Sequence, residues 1–521
     1  MATGAWTVLP YILCVALTPG LADFPFRNPS LPWSDRVDDL VSRLSIEEIQ
    51  YQMARGGAVH DGTLPIPRLG IKPYSWNTEC LRGDVGAGNA TGFPQALGLA
   101  ASFSPLLVFQ IAEATAVEVR AKYNNYSEHG LQASHMGVSC FSPVINIVRD
   151  PRWGRNQETY GEDPFLTSIL AVSFIQGLQG NNTRYVRANA GCKHFAAYDG
   201  PENIPISRKK FDAKEKTTRG YTSVSERDLR TTFLPAFRAC VKAGTYSVMC
   251  SYNSVNGVPT CVSKQLLNDI LREEWGFTGY VVSDSGAIEN IYKGHNYSDS
   301  YTDIVADCVN AGCNLELSGR DENLTYFSMV DAINEGKLTE EKVRQMVKPL
   351  FYTRMRLGEF DPPEMNPYFK LDLSVIKSEA HQMLAIDAAM KTFVLLKNEG
   401  NLLPLKKDTF NRIAIVGPMA NNRRLIFGDY APSTFYTFVQ TPLQGLTKLA
   451  QSVNHAAGCD DTFCKHYDAV SIKKAVAMTE VIFVCLGTGW SPRATTATTS
   501  TSPDINCSCF KTLLLTEMRP P

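Results

Sequence analysis

The sequence predicts an α/β protein that begins with an α/β barrel. Short apolar segments alternate with longer amphipathic segments from about residue 60 to residue 355, which is the order of strands and helices in a barrel. Polar clusters directly follow successive predicted strands, and in such barrels the catalytic side chains lie where the strands end. A Pro-rich stretch at residues 360–377 interrupts the alternation and predicts a linker.

The individual elements follow from the spacing of apolar residues along the chain. Apolar side chains recur at helical spacing in residues 35–53, where Ser45 and Glu48 have the spacing of a capping box. Further helices are predicted at residues 106–123, 226–243, 303–312, 378–397 and, as a pair, 331–357. Strands, some with the loops that follow them, are predicted at residues 136–147, 188–198, 245–256, 280–282, 313–317, 412–418 and 481–487. Residues 203–226 are polar and are expected to form a surface excursion.

Composition limits the classes of function. The chain of 521 residues is too long for one ordinary domain, so two large domains are expected. A hydrophobic content of 44% and a charged content of 20% are typical of a soluble globular protein. A net charge of −1 gives no electrostatic basis for binding nucleic acid or an anionic membrane.

The N-terminal segment is typical of a secretory signal peptide, although it lacks Lys and Arg. Residues 1–22 carry no charged side chain, and an apolar core from Val8 to Leu17 precedes the small residues Gly20 and Ala22. No other apolar run approaches the length of a membrane span. We therefore expect secretion or lysosomal delivery, with no membrane span after removal of the signal peptide.

Glycosylation sequons and cysteines fit the same route. The six Asn-x-Ser/Thr sequons begin at Asn89, Asn125, Asn181, Asn296, Asn323 and Asn506. Of the fourteen cysteines, Cys14 lies in the predicted signal peptide, so the thirteen others cannot all pair within the chain. Short spacings suggest the pairs Cys250–Cys261, Cys308–Cys313 and Cys459–Cys464. A free buried thiol is an equally ordinary interpretation of any single cysteine.

Asp284 is the most informative polar residue that follows a predicted strand. A helical segment ends near Trp275, and Gly279 opens the apolar run 280–282, which is typical of a buried parallel strand. An Asp at the carboxyl tip of such a strand is placed for catalysis at the mouth of a barrel. The spacing alone favours the alternative that Asp284 caps the next helix near Ala287, because such caps are common.

Other strand ends carry side chains suited to a sugar, and each has a structural alternative. Glu79 lies beside Trp76 in a Gly-rich loop, where it either binds a hydroxyl or forms a surface salt bridge with Arg82. Residues 150–158 combine Arg, Trp and carboxylates. They supply a forked donor and a stacking face for a sugar, or else a structural Arg–Glu network.

Lys193 and His194 follow one another near the end of the strand predicted at residues 188–198. Neighbours on a strand face opposite sides, so the spacing alone assigns one of the two to structure, although the rule weakens at a ragged strand end. Met249, in the strand predicted at residues 245–256, is by itself an ordinary core residue.

These motifs together resemble glycoside hydrolase family 3. The turn at residues 276–279, the strand after it and the Ser-Asp at residues 283–284 are similar to the nucleophile signature of that family. Residues 150–155, with the sequence DPRWGR, and the Lys-His pair at residues 193–194 also match family motifs. The similarity extends from Asp23 to about Gly487 and is greatest to the β-xylosidase branch, which includes plant-type enzymes and their animal relatives.

The resemblance implies a retaining glycosidase in which Asp284 is the nucleophile that attacks the anomeric carbon. The residues that it implies in sugar binding are Glu79, Arg155, Lys193, His194, Met249 and Tyr252. No metal or other cofactor is expected, and the expected partner is an oligosaccharide or glycoside substrate.

The resemblance also divides the chain into parts. It implies a TIM-like (β/α)8 barrel at residues 23–360, a linker at residues 361–400 and an α/β sandwich domain from residue 401. The sandwich is expected to be incomplete and to end near residue 490, because residues 491–521 are low-complexity or aperiodic. The strands at residues 412–418 and 481–487 are therefore expected to leave part of their faces unburied.

The second carboxyl group of a retaining mechanism is not assigned from the sequence. In the family it is typically a Glu on a loop shortly after the strand matched by residues 481–487, and here Thr-rich sequence stands in that place. Asp504 and Glu517 are the carboxylates further downstream, and neither has a family-like context.

Three hypotheses follow. The chain is an exo-glycosidase for terminal β-D-xylosyl or α-L-arabinofuranosyl residues, with β-glucosidase activity as the alternative. Or it is a sugar-binding form impaired in catalysis, or a poorly folding form without a function of its own.

Overall fold

A computed structural model of the chain describes residues 24–57, 62–86, 88–151, 153–200, 206–217, 220–318, 324–407, 409–432, 439–460, 464 and 466–487. The predicted signal peptide and the predicted tail at residues 491–521 lie outside these ranges, together with Arg152, Asn323, Asn506, Asp504 and Glu517.

Helices and strands alternate along most of the described chain. The helices are α1 (Trp33–Ser42), α2 (Ile46–Ala54), α3 (Ala96–Ala100), α4 (Pro105–Glu128), α5 (Pro164–Gln179), α6 (Glu226–Asp228), α7 (Pro235–Lys242), α8 (Glu289–Lys293), α9 (Tyr301–Ala311), α10 (Met329–Asn334), α11 (Glu340–Arg356), α12 (Glu379–Lys391), α13 (Arg423–Phe427), α14 (Pro442–Leu446) and α15 (Ala469–Val476). The strands are β1 (Ser139–Cys140), β2 (Asn189–Phe195), β3 (Asp212–Thr217), β4 (Gly220–Ser223), β5 (Ser247–Cys250), β6 (Ser254–Val255), β7 (Val258–Pro259), β8 (Tyr280–Ser283), β9 (Phe410–Val416), β10 (Ala450–Ala456) and β11 (Val481–Val484). Two π-helical segments, Leu229–Phe233 and Gln265–Glu274, lie between α6 and α7 and before β8.

The first domain is a TIM-like barrel, as predicted. Its sheet has the order β1–β2–β5–β8 with all neighbours parallel. Thr78 pairs with the end of β1, and Leu315 pairs with β8, so the sheet continues beyond both outer strands. The amide of Glu316 donates to the carbonyl of Met53 at 2.8 Å, which brings the end of α2 beside the last of these segments. Helical segments follow the strands in chain order, as parallel neighbours require.

The barrel strands lie in a continuous apolar core. β2, β5 and β8 are buried at every position, which is the pattern of parallel strands covered on both faces. α5 packs against both α4 and α7 in the outer layer. The carboxyl ends of three adjacent strands are therefore held by a rigid surround.

The helix predicted at residues 35–53 is two helices, because the capping box forms inside it. The Ser45 side chain accepts a hydrogen bond from the amide of Glu48, and the Glu48 carboxylate accepts one from the amide of Ser45 at 2.9 Å. These bonds satisfy amides that have no partner within the helix and thereby start α2.

Two further predictions change in extent. The strand predicted at residues 136–147 is limited to β1, and Pro143, which has no N–H to donate, follows it closely. The polar stretch at residues 203–226 contains the antiparallel hairpin β3–β4. This hairpin joins β6 and β7 in a second sheet of order β4–β3–β6–β7.

Four disulfide bonds link described cysteines. They are Cys80–Cys140, Cys192–Cys240, Cys250–Cys261 and Cys459–Cys464. Two of the three predicted pairs are therefore confirmed, but Cys308–Cys313 is wrong, since both thiols are free and buried. α9 ends at Ala311, and Gly312, with a φ of 118°, turns the chain so that the Cys313 sulfur lies 4.0 Å from the carbonyl oxygen of Val281. The Cys313 thiol thus lies against the barrel sheet, while the Cys313 amide donates to the Cys308 carbonyl at 2.9 Å.

The linker is tied to the barrel by one buried carboxylate. Glu118 of α4 accepts from the amide of Lys377 at 2.9 Å and lies 2.8 Å from Nδ1 of His381 in the first turn of α12. The helix predicted at residues 378–397 ends at Lys391, and the apolar side chains at residues 393–396 are exposed.

The described part of the second domain is an α/β unit with a three-stranded parallel sheet of order β10–β9–β11. α15 covers one face, where Ile472 packs with Ala414 and Val416. α14 covers the opposite face, where Leu443 packs against Ile413. The expectation of unburied faces is therefore wrong for β9, whose last four residues are buried, and right for β11, whose four residues are half-buried.

None of the described helices is both long enough and apolar enough to cross a membrane.

Candidate active site

Asp284 stands directly after β8, at the carboxyl end of the barrel sheet. Its side chain is 12% exposed, its Oδ1 accepts from the amide of Ser285 at 2.7 Å, and its Oδ2 lies 3.6 Å from Nε2 of His194. Oδ2 has no hydrogen-bond partner among the described residues. One oxygen is therefore fixed by the backbone while the other faces the neighbouring strand end with its lone pairs unused.

The alternative role of Asp284 as a helix cap is wrong. α8 begins after Ile288 and has no side-chain cap hydrogen bond, and the Asp284 carboxylate bonds to the adjacent amide of Ser285 instead. The intervening residues form turns, so the carboxylate is not in register with the first amides of the helix.

Glu79 pairs with Lys193 and not with Arg82. The Lys193 Nζ donates to Oε1 of Glu79 at 2.6 Å, and the Lys193 side chain is 1% exposed. Burial lowers the pKa of Lys193, but Glu79 and Tyr430 together raise it above its ordinary value, so the ammonium form is retained. Arg82 instead donates to backbone carbonyls of Phe93 and Asp429. The predicted surface salt bridge is replaced by a buried ion pair.

Long-range contacts hold the loop that carries Glu79. The disulfide Cys80–Cys140 joins the loop to β1, and the amide of Cys80 donates to the hydroxyl of Ser142 at 3.0 Å. Trp76 is 1% exposed and packs edge-on against Tyr280, with ring centroids 4.9 Å apart. The Trp beside Glu79 is thus part of the core that supports the loop.

Both Lys193 and His194 contact residues of the site, although strand neighbours ordinarily face opposite sides. The pairing of β2 with β5 shifts register between Lys193 and Phe195, so the alternation is broken at this point. The break in alternation explains how two neighbouring residues of one strand both contact the site.

A hydrogen-bond network fixes the orientation of His194. The oxygen Oδ1 of Asn146 accepts from the amide of His194 at 2.8 Å and lies 3.2 Å from Nδ1 of its ring. Nδ1 is therefore the protonated nitrogen. Nε2 then accepts from Nη2 of Arg155 at 3.2 Å, because a guanidinium can only donate.

Arg155 takes part in a structural ion pair and in the site at once. Its guanidinium donates to Glu158 at 2.8 Å and stacks on the ring of Tyr198, 5.4 Å from the ring centroid. Burial lowers the pKa of Arg155, but Glu158, Tyr430 and Tyr198 together raise it well above its ordinary value. Trp153 of the same loop is 2% exposed and packs on Tyr198, so it offers no open stacking face.

Met249 and Tyr252 lie on and just after β5. Met249 is in register with Lys193 of β2 and Val282 of β8, and is 1% exposed. The hydroxyl of Tyr252 donates to the carbonyl oxygen of Ser285 at 2.8 Å. Burial raises the pKa of Tyr252 well above its ordinary value, so it stays a donor. Tyr252 thus fixes the turn that carries Asp284.

Tyr430 is a site residue that the sequence did not reveal, because it comes from the second domain. Its ring lies 4.8 Å from Nζ of Lys193, and its hydroxyl lies 3.5 Å from Nη2 of Arg155. The preceding carbonyl, of Asp429, accepts from Arg82 at 2.9 Å and from Gln95 at 3.0 Å. These two barrel residues therefore hold Tyr430 over the site, and no local pattern around it signals this role.

Asp199 is a further buried carboxyl group, on the loop after β2. Burial raises the pKa of Asp199 to about 7, and Arg149, whose Nε lies 3.9 Å from Oδ2, offsets part of this effect. Its place after a predicted strand is the signal that sequence analysis could have used.

The described residues end at Gly487, so the loop after β11, where the resemblance implies the acid/base, lies within them only at residues 485–487. Among all the described residues, no group of three or more His, Cys, Asp or Glu side chains is arranged to hold a metal ion.

Most of the chain is similar to proteins of one known family. Residues 58–351 match the glycosyl hydrolase family 3 N-terminal domain, and residues 393–505 match its C-terminal domain. A xylan 1,4-β-xylosidase of Xylanibacter ruminicola is 39% identical over 87% of this chain and 50% of its own length. A β-xylosidase/α-L-arabinofuranosidase of Medicago sativa is 35% identical over 91% of this chain and 59% of its own length. The chain thus spans between half and three fifths of these relatives.

Solved structures show the same similarity. A GH3 exo-β-xylosidase in complex with a xylobiose aziridine activity-based probe has a TM-score of 0.83 at 29% identity, over 95% of this chain and 62% of that one. A β-glucosidase of Listeria innocua in complex with glucose has a TM-score of 0.74 at 26% identity, over 92% of this chain and 68% of that one.

Proposed function

The chain belongs to glycosyl hydrolase family 3, and from this premise we propose that it is a retaining exo-acting β-glycosidase. Its proposed substrates are xylan-type oligosaccharides with terminal β-D-xylosyl residues, and terminal α-L-arabinofuranosyl residues are the second class. The single observation that carries the proposal is Oδ2 of Asp284, which is buried and unbonded among the described residues at the end of β8.

In the first step Asp284 Oδ2 attacks the anomeric carbon. A new ester C–O bond forms, the glycosidic C–O bond breaks, and the leaving oxygen takes a proton from the acid/base. In the second step water attacks the same carbon, the ester bond breaks, and the acid/base recovers its proton. The bond from the Ser285 amide to Oδ1 keeps the carboxylate oriented while Oδ2 reacts.

The surrounding side chains are proposed to hold the hydroxyls of the sugar. Lys193 and Arg155 donate, and Glu79 accepts, so a sugar hydroxyl that bridges Lys193 and Glu79 keeps both groups satisfied. His194 lies beside Asp284 with Nε2 accepting from Arg155, so a sugar hydroxyl that displaces this bond can donate to Nε2. Tyr430 covers this arrangement from the second domain.

The proposal is tested by trapping the covalent intermediate. A 2-deoxy-2-fluoro-β-xyloside with a good leaving group slows the second step, so the ester accumulates. Peptide mass mapping is expected to place the xylosyl adduct on the peptide that contains Asp284. An adduct on another peptide, or none in a chain that still hydrolyses the parent aryl xyloside, would contradict the assignment.

A sugar-binding form impaired in catalysis is the second candidate, favoured by the Thr-rich sequence where the family carries its acid/base. Aryl xylosides with good leaving groups need little proton donation, whereas alkyl xylosides and xylobiose need a full acid. Cleavage of the aryl substrate alone would indicate the impaired form, and cleavage of xylobiose would indicate a working acid. Faster cleavage of aryl glucosides than xylosides would favour a β-glucosidase.

We also propose that the chain follows the secretory route. The four disulfides between described cysteines are typical of an oxidising compartment. Expression in cultured animal cells is expected to give a chain sensitive to a peptide N-glycosidase, in the medium or in lysosomes. A cytosolic, unglycosylated chain would contradict this.

A further inference from the structure

A cavity of about 320 Å³ lies in the outer helical layer of the barrel, between α7 and the π-helical segment before β8. Its lining includes Arg230, Arg238, Lys242, Glu274 and Trp275. None of these belongs to the candidate active site, which is built from strand ends and from Tyr430. The proposed function therefore leaves this cavity without a role.

Two of the three cations in the cavity form no salt bridge within the described part of the chain, although Arg238, after Arg230, helps to lower the pKa of Glu274. Arg230 is held in salt bridges by Glu226 and, at 2.8 Å, by Glu274. Arg238 and Lys242 are exposed, and within the described part of the chain their side chains have no hydrogen bond or ion pair. They are four residues apart on α7, where like charges repel one another. The helix C-terminus favours Lys242, but Arg238 lies a turn further from it.

Trp275 gives the cavity a fixed aromatic wall. The indole Nε1 donates to Oε1 of Glu274 at 3.2 Å, and the ring packs edge-on against Phe195 with centroids 6.0 Å apart. The residue is half-buried, so part of the indole remains open to a ligand. An aromatic face beside charged donors is a common surface for a sugar ring.

We propose that this cavity is an accessory binding site for an acidic saccharide. A carboxylate or sulfate group of the saccharide binds Arg238 and Lys242, and the adjoining sugar ring lies against Trp275. The Arg238 guanidinium suits this role because its planar fork matches the two oxygens of either anion. The site extends beyond the proposed function, since it neither uses Asp284 nor requires turnover.

The test measures binding at Trp275 in the full chain carrying Asp284→Asn, so that no ligand is hydrolysed. With tryptophan labelled by ¹⁵N, the indole N–H resonance of Trp275 is followed during titration with three oligosaccharides of equal length. One is a neutral xylo-oligosaccharide, one carries a glucuronate and one carries a sulfate. Sodium sulfate is the fourth ligand. The same titrations are repeated with Arg238→Ala/Lys242→Ala.

Lys473→Ala/Lys474→Ala is the matched control, because it removes two exposed cations from α15 and changes the net charge equally. We expect an acidic saccharide to shift the Trp275 resonance and to bind about tenfold more weakly to Arg238→Ala/Lys242→Ala, the loss expected for a charge-assisted hydrogen bond. The control is expected to bind as tightly as the parent. Whether glucuronate or sulfate binds more tightly identifies the source of the anion.

Three results would overturn the proposal. One is the absence of any Trp275 shift with either acidic saccharide, and another is unchanged affinity in Arg238→Ala/Lys242→Ala. The third is equal affinity for sodium sulfate or for the neutral oligosaccharide, which would indicate a simple anion site or a neutral sugar site. Hydrolysis of an aryl xyloside by Arg238→Ala/Lys242→Ala, with Asp284 intact, is expected to be unchanged. Failure of the proposed function is thereby distinguishable from failure of this site.

Discussion

The barrel and the described part of the second domain bury their strands to different degrees. β2, β5 and β8 are buried at every position, whereas β11 is half-buried throughout and β10 has one buried residue, Ala456. β2 and β5 have strands on both sides, while β10 and β11 form the edges of their three-stranded sheet. The two regions therefore offer unequal rigidity to the side chains that they carry.

The difference teaches how a less buried domain can still place a side chain accurately. The expected nucleophile Asp284 directly follows the buried strand β8, and the expected sugar-binding residue Lys193 lies on the buried strand β2. Tyr430 belongs to the second domain, but its segment is fixed by Arg82 and Gln95, which lie on the barrel. The position of Tyr430 is thus fixed by contacts with the barrel and not by the sheet of the second domain.

The largest expected effect tests whether the barrel supplies the nucleophile. Asp284→Asn should lower turnover of an aryl xyloside by at least about 10³-fold, because an amide cannot form the glycosyl ester. Circular dichroism and thermal unfolding should be unchanged. Asp299→Asn, the same change at an exposed position, is the control. Full activity of Asp284→Asn would show that Asp284 is not the nucleophile and that the barrel does not supply it through this residue.

The pH dependence of barrel stability should come partly from Asp199. Since burial raises its pKa to about 7, the folded state keeps a proton that the unfolded state releases near pH 4. Its contribution is therefore fully present below about pH 4 and is lost as the pH rises to 7. Asp199→Asn should remove this loss and stabilise the chain at pH 7 by up to about 4 kcal/mol relative to its effect at pH 4. Urea unfolding at both pH values measures this, and equal effects at the two would contradict it.

The same Val→Ala substitution in the core of each region compares the stability of the two regions directly. Val281 in β8 and Val416 in β9 are both 0% exposed, so Val→Ala at either should cost about 2 kcal/mol of unfolding free energy. If the domains unfold separately, Val416→Ala lowers only the earlier thermal transition and Val281→Ala only the later one. A single thermal transition shifted equally by both substitutions would show one cooperative unit.

Limited proteolysis should likewise trim the chain to a fragment ending near residues 362–367.

We expect a barrel residue, Glu79, to set the preference for pentoses over hexoses. Glu79 meets Lys193 at 2.6 Å, and we expect the length of its side chain to crowd the hydroxymethyl group of a hexose. Glu79→Asp should reduce the ratio of xyloside to glucoside hydrolysis by about tenfold, the usual worth of one methylene in a pocket. An unchanged ratio, or a wild-type preference for glucosides, would assign specificity elsewhere.

The smallest effect is expected at Tyr430. Tyr430→Ala removes the ring beside the Lys193 ammonium and should raise KM about fivefold with little change in kcat. Tyr430→Phe keeps the ring and serves as the control, which should behave nearly as wild type. A large fall in kcat would mean that the second domain contributes to the chemical step and would contradict a role limited to substrate binding.

The sequence by itself determined features whose causes lie within a short stretch of chain. The apolar run before Asp284 predicted β8, because burial on both faces leaves a local signature. The Ser45–Glu48 spacing predicted a capping box, which forms within one turn, although the helix start that it makes at α2 was not predicted. Proximity along the chain suggested the Cys250–Cys261 bond, but the same signal failed for Cys308 and Cys313, whose thiols are free.

Only the tertiary structure decided contacts between distant segments. Glu79 meets Lys193 instead of its neighbour Arg82, because the register of strands, and not spacing along the loop, brings carboxylate and ammonium together. His194 presents Nε2 as an acceptor because Oδ1 of Asn146, from the segment after β1, accepts a hydrogen bond from Nδ1–H. Tyr430 enters the site only because two barrel residues bind its backbone. Such contacts depend on how whole faces pack, and no local periodicity records that packing.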